Sequence, residues 1–304
     1  IDEGYTIPFI ARYRKEMHGT MDDTTLRDLS ERLTYLRNLA TRRDEVKKAI
    51  DAQEKLTDAL VKQIDSAKTL AELEDLYRPY KQKRRTRATI AKEKGLESLA
   101  QALFQQEKDT PAPETLAKPY VDAEKGVETV ADALAGASDI VAEIVSDDAE
   151  VRRKLRGTIE KIGTVSSRAT KEEDSVYSLY YEFDQSLPRL QGHQILAINR
   201  GEKEGYLKVA VETDHDTGLG SVQREVVKNG SRATEFVRQA STDAYDRLIY
   251  PSMERETRST LTERAAEGAI HNFAINLKPL LMQPPVKGHV TMGLDPGYRN
   301  GCKV

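Results

Sequence analysis

Apolar residues recur at steps of three and four along most of the chain, the spacing that places them on one face of a helix. Thr6-Ile7-Pro8-Phe9 reads as a helix entrance, because proline is tolerated in the first turn. From Thr25, with Asp28 three residues on in a capping-box pattern, the spacing predicts a long helix. Leu26, Leu29, Leu33 and Leu36 fall on one face of it, and Val46 and Ile50 extend that face. Thr57 caps a short helix bearing Leu60 and Ile64, and Thr69 with Glu72 opens another that ends near Pro79. Asp109-Thr110-Pro111-Ala112-Pro113 is a linker by composition. Beyond it, Val127 to Leu134, Ile140 to Val145 and Val151 to Ile162 predict three short helices, a compact module of helix-turn-helix type.

The period changes after about Ser166. Leu207, Val209 and Val211 alternate with Lys208, Ala210 and Glu212, the mark of a half-buried strand. Phe236, Ala240, Ala244 and Leu248 then predict a helix that stops near Pro251. A second helix carries Leu261, Ile270, Phe273 and Leu277, and ends or kinks at Pro279. Pro284-Pro285 separates it from Val286 to Met292, a strand-forming run that leads to Gly293-Leu294-Asp295-Pro296-Gly297.

Composition narrows the function classes. The 304 residues suffice for two or three domains. Lys and Arg (47) nearly cancel Asp and Glu (50), so any electrostatic footprint for a polyanion has to be local. A single cysteine, Cys302, excludes a disulfide framework and a cysteine-rich zinc site, and fits a reducing cytosol. No apolar run reaches the length of a membrane span, and the start lacks the apolar stretch of a signal peptide. The chain opens at Ile1 and reads straight into structured sequence, as a fragment of a larger protein would.

Lys81, Lys83, Arg84, Arg85 and Arg87 form the densest basic segment, just past a helix end, where phosphates could meet several cations at once. The competing expectation is a solvated loop whose cations pair with nearby carboxylates. Arg12, Arg14 and Lys15 surround Tyr13, which reads as packing with a basic outer face. Arg200-Gly201-Glu202-Lys203-Glu204-Gly205 lacks the Gly-Lys-Ser/Thr ending of a phosphate-binding loop and reads as a turn into a strand. Asp214, Asp216 and Glu225 match three positions of a calcium loop, but Leu219 stands where that loop needs glycine, so a polar surface loop is expected. The five histidines are scattered without ligand spacing, and no cofactor is implied. Asp295 is a candidate first carboxylate of a two-metal nuclease, yet one carboxylate cannot hold the metals, and Asp-Pro-Gly is also a common turn.

Several stretches together resemble the bacterial Tex, or transcription accessory, proteins. They are Ile7-Pro8-Phe9-Ile10-Ala11-Arg12-Tyr13-Arg14-Lys15-Glu16, Leu73-Glu74-Asp75-Leu76-Tyr77-Arg78-Pro79-Tyr80 with Lys83 to Ala88, Arg200 to Gly205, and Gly293 to Gly297 with Gly301 to Val304. They occur in family order over nearly the whole chain, with residues from about Asp109 to Ser186 more individual. The resemblance implies a mainly α, multi-helical scaffold with a helix-turn-helix-like module and a small β element, ending in the first strand of an RNase H-like YqgF domain. The expected divisions are 1–108 (N-terminal helical region), 109–185 (helical module), 186–232 (small mixed or β element), 233–285 (long helices) and 286–304 (first YqgF strand).

The function so implied is a cytoplasmic, nucleic-acid-associated transcription accessory factor, bound to RNA or DNA mainly through domains beyond this chain and in contact with the transcription machinery. Here the chain would supply the scaffold and a phosphate-contacting edge at Lys81, Lys83, Arg84, Arg85 and Arg87. No complete active site is present, so it is not read as an enzyme. Two rivals stand beside this reading. One is a resolvase-like metal-dependent nuclease with Asp295 as its first acidic residue; the other is a protein-interaction scaffold whose basic loop is paired internally.

Overall fold

Asp22, not Thr25, opens the long N-terminal helix: its Oδ1 accepts the Thr25 amide at 2.8 Å, placing Thr25 inside the first turn. The computed structural model describes residues 1–19, 21–82, 84–171, 173–284, 287–294, 297 and 301. The chain is mainly α with a small β element. Its first half runs through α1 (Ile7–Tyr13), α2 (Lys15–His18), α3 (Asp23–Asp51), α4 (Asp58–Ser66), α5 (Leu70–Tyr77), α6 (Arg87–Glu93), α7 (Glu97–Gln105) and α8 (Pro113–Ala117). Then follow α9 (Val130–Asp147), α10 (Ala149–Ile162), β1 (Thr164–Ala169), β2 (Glu182–Ser186), α11 (Gly192–Lys203) and β3 (Leu207–Glu212). The last elements are α12 (His215–Val226), α13 (Thr234–Asp243), a π-helical segment (Ala244–Ile249) and α14 (Tyr250–Leu281).

Two compact units result. The first contains residues 1–164, 186–188 and 211–256; the second contains 165–185, 189–210 and 257 onward. In the first, Leu39, Val46, Ile50, Leu60, Ile64 and Leu73 form one core, sealed at its edge by Tyr35, Tyr77 and Tyr80. On α3, Leu39, Val46 and Ile50 face this core and Leu26 is buried apart from it, whereas Leu29 and Leu36 are exposed. Thr57 and Thr69 cap α4 and α5 as their sequence positions predict, accepting the Leu60 and Glu72 amides at 3.3 and 3.2 Å.

A second core surrounds α9, which packs on α6, α7 and α13 through Ala133, Ala137, Ile140, Val141 and Val145. Two helices, not three, span 130–162, since α9 runs unbroken through Gly136. That glycine is retained by packing: a Cβ there would collide with Leu96 Cδ1 and lie 3.3 Å from Ala91 Cβ. Asp148 ends α9 and caps α10, accepting the Val151 amide at 2.9 Å. Residues 234–281 likewise run on past Pro251 instead of stopping. Proline removes one donor and crowds the carbonyl four residues back, and the π-helical register of Ala244–Ile249 absorbs that conflict just before it.

The second unit is built on the small sheet, ordered β2-β1-β3. The alternation in β3 is realised as predicted, with Leu207, Val209 and Val211 buried, and β1 and β2 complete the sheet. Of the strand expected at Val286–Met292, Lys287 to Met292 lie in no strand, and Val286 lies outside the described residues.

Candidate nucleic-acid interface

The basic segment follows directly on the Leu73–Tyr80 stretch, and that stretch is committed to internal packing. Leu73 and Asp75 are buried on α5. Asp75 accepts hydrogen bonds from Arg152 Nε at 2.7 Å and Arg156 Nη2 at 2.6 Å, both on α10. The same arginines reach Glu256 on the first turns of α14, at 3.1 and 2.6 Å. Arg152 is 1% exposed, and a charge so buried is tolerated only when paired and hydrogen-bonded. Burial depresses the Arg156 guanidinium, but the hydrogen bonds it donates to Glu256 and Asp75 outweigh that and leave it above its ordinary value. Arg78 lies 3.4 Å from Asp147. Two arginines and two carboxylates thus tie three helices of the first unit together.

The loop itself runs from Lys81 to Thr86, between a 3-10 turn (Arg78–Tyr80) and the N-cap of α6. Its described cations, Lys81, Arg84, Arg85 and Arg87, are all exposed. Lys81 pairs with Glu74 and sits over the Tyr77 ring, 5.5 Å from its centroid. Glu74 also takes Arg42 Nε at 2.8 Å. Burial raises the Glu74 carboxyl, but the hydrogen bonds from Arg42 and Lys81 prevail and hold it below its ordinary value. Arg85 pairs with Glu93 at 2.7 Å, with both side chains more than half exposed. Arg84 and Arg87 make no ion pair among the described residues, and Arg87 feels the Asp139 carboxylate only at longer range. Lys83 lies outside the described residues. The structure therefore brings four of the five expected cations to one exposed loop. Two make no ion pair among the described residues, and two sit in surface pairs of the kind worth at most about 1 kcal/mol.

The other singled-out motifs resolve differently. Arg200 to Gly205 forms the end of α11 and the turn into β3. Glu202 pairs with Arg258, Glu204 accepts the Tyr177 hydroxyl at 2.8 Å, and a Cβ at Gly201 would meet Leu207 Cδ1 at 2.6 Å. Asp214 is the N-cap of a helix and not part of a polar loop: it accepts the Thr217 amide at 2.9 Å, while Glu225 pairs with Lys154 at 2.6 Å. On α10, Arg152, Arg153, Lys154 and Arg156 are all engaged by carboxylates of the first unit. No group of His, Cys, Asp or Glu among the described residues is arranged to hold a metal ion. Asp295 lies outside them.

The buried Asp75–Arg152 pair was not foreseen from the sequence. A signal was available in Arg152, an arginine set between Val151 and Leu155 on the apolar face of an amphipathic helix, where a free charge would not be tolerated.

Comparison with known proteins decides the family. The Tex central region-like family model matches residues 108–273, and the Tex-like protein N-terminal domain model matches residues 1–51. The chain belongs to the Tex family. Over its whole length it is 45% identical to the uncharacterized protein YdcI of Bacillus subtilis and 39% identical to the transcriptional accessory protein Tex of Neisseria gonorrhoeae, covering 43% and 41% of those proteins. It is also 33% identical to the human S1 RNA-binding domain-containing protein 1, with 98% of the chain and 31% of the human protein aligned. The Tex-family chain thus spans less than half the length of these curated relatives. No helix among its described residues is long and apolar enough to cross a membrane.

Proposed function

We propose that this chain is the helical scaffold of a nucleic-acid-associated transcription accessory factor, and that the loop from Lys81 to Arg87 is an edge that contacts phosphates. One observation carries the reading. Beside a stretch whose charges are spent on internal ion pairs, Arg84 and Arg87 stand exposed and without an ion pair among the described residues. Exposed guanidinium groups beside the start of a helix can engage phosphate oxygens in bidentate fashion. The weak surface pairs of Lys81 and Arg85 can exchange their carboxylates for a polyanion. RNA is the polymer proposed, in keeping with the RNA-binding domain named in the human relative.

The test is fluorescence-anisotropy titration of the chain with single-stranded RNA, alongside a variant with Lys81, Lys83, Arg84, Arg85 and Arg87 changed to alanine. Binding that the variant loses supports the phosphate-contacting edge. Equal binding by both proteins removes the loop from the interface. A second reading, a protein-interaction scaffold, draws on the Lys81–Glu74 and Arg85–Glu93 pairs, which neutralise half of the described loop cations internally. It predicts no RNA binding by either protein.

A further inference from the structure

The family-like stretch on α1 leaves part of its aromatic surface unpacked. Phe9 and Tyr13, four residues apart, share one face of α1, and Tyr5 lies just before the helix. Tyr5 and Phe9 stack with ring centroids 4.9 Å apart and an interplanar angle of 22°; Phe9 and Tyr13 follow at 5.1 Å and 45°. All three rings are exposed, and Tyr13, at the end of the series, is 60% exposed. Rings of this size usually dominate cores, so an aromatic set left facing water at the start of α1 is a surface suited to a flat apolar ligand.

The series is held from behind. Arg37 on α3 forks onto Asp2 at 2.7 and 2.8 Å, Ile10 is buried under α1, and a His18 ring nitrogen meets the Ile10 carbonyl at 3.1 Å. Arg14 lies over the Tyr5 ring at 5.4 Å and 3.9 Å from Glu16. Arg12 and Lys15, beside Tyr13, are exposed and have no ion pair among the described residues. Asp22 and Asp23 line the opposite rim of the cleft that Tyr13 borders, so the positive side of that cleft is the α1 side.

We infer that α1 is a stacking platform for the unpaired bases of single-stranded RNA. A base continues the series on the open face of Tyr13, and Arg12 and Lys15 meet the flanking phosphates. Bases in a duplex hide their faces, whereas single strands are bound by aromatic stacking joined to a cationic track. The inference rests on the RNA-associated reading above, but uses a different surface from the basic loop.

The experiment uses a 12-nucleotide oligoadenylate RNA carrying one 2-aminopurine, whose fluorescence is quenched by stacking. The native chain is expected to bind and quench it. Tyr13→Ala should weaken binding roughly fivefold or more, abolish the quenching and leave the salt dependence unchanged, while Tyr13→Phe keeps the native values. Tyr13 is exposed, so both variants should keep the native thermal midpoint. A basic-loop variant that keeps native affinity and salt dependence, beside a Tyr13→Ala variant that loses both affinity and quenching, sinks the loop reading and leaves the platform standing. The platform is overturned if Tyr13→Ala binds and quenches like the native chain. It is also overturned if the native chain does not bind, or if Tyr13→Ala alters only self-association, the mark of a protein contact.

Discussion

Asp75 and Arg152 meet at 2.7 Å with side chains 7% and 2% exposed, so one carboxylate on α5 fixes the position of α10 from inside the first unit. Removing Arg152 leaves the buried Asp75 carboxylate with Arg156 alone, and buried pairs of this kind are expensive to break even when forming them gains little. Arg152→Met should lower the unfolding free energy by about 3–5 kcal/mol, read from urea denaturation. Replacing Asp75 by leucine in the same chain should recover only a small part of that loss, since Arg156 then keeps Glu256 but loses Asp75. RNA affinity per folded molecule should not change.

Glycines at two helical positions should respond in opposite directions. A Cβ at Gly136 would run into Leu96 in the packed core around α9, so Gly136→Ala should destabilise by about 1–3 kcal/mol despite alanine's better helix propensity. At Gly157 on α10 a Cβ meets nothing within 4 Å, so Gly157→Ala should stabilise by up to about 1 kcal/mol. Thermal melts of the two variants check both signs.

His215 gives the first unit a pH-dependent contact. Its ring nitrogens lie 2.9 Å from Asp246 Oδ1 and 3.4 Å from Asp216 Oδ1, and these hydrogen bonds raise its pKa above the ordinary value near ~6.5. A folded pKa above the unfolded one means the contribution is complete below about pH 6.5 and is lost as pH rises through the folded value. Proton NMR titration of the His215 ring should give a pKa above that of a free histidine. His215→Gln should remove this part of the stability decline above pH 6.5.

The arrangement of helices was largely legible, because caps and apolar spacing are local. Thr57, Thr69 and the alternation in β3 act where the sequence shows them. What stayed hidden depends on contacts distant in sequence. Gly136 looks like a helix breaker until Leu96 is packed against it, and Pro251 looks like a stop until the π-helical turn before it is seen. In the candidate interface, the basic loop was visible as composition. Which of its cations are free was not, since Glu74 and Glu93 had to be placed first. Phe9 and Tyr13 read as packing in the sequence because their spacing is equally that of a buried face; only exposure separates the two cases.

The most direct test of the phosphate-contacting edge is the salt slope of RNA binding, compared between the native chain and an Arg84→Ala, Arg87→Ala double variant. Each lost phosphate contact on a single strand should flatten the log–log slope by about 0.7, so the double variant should differ from the native chain by roughly 1 to 1.5. An identical slope in the two proteins would show that neither arginine reaches a phosphate, and would contradict the assignment of this loop as the nucleic-acid edge.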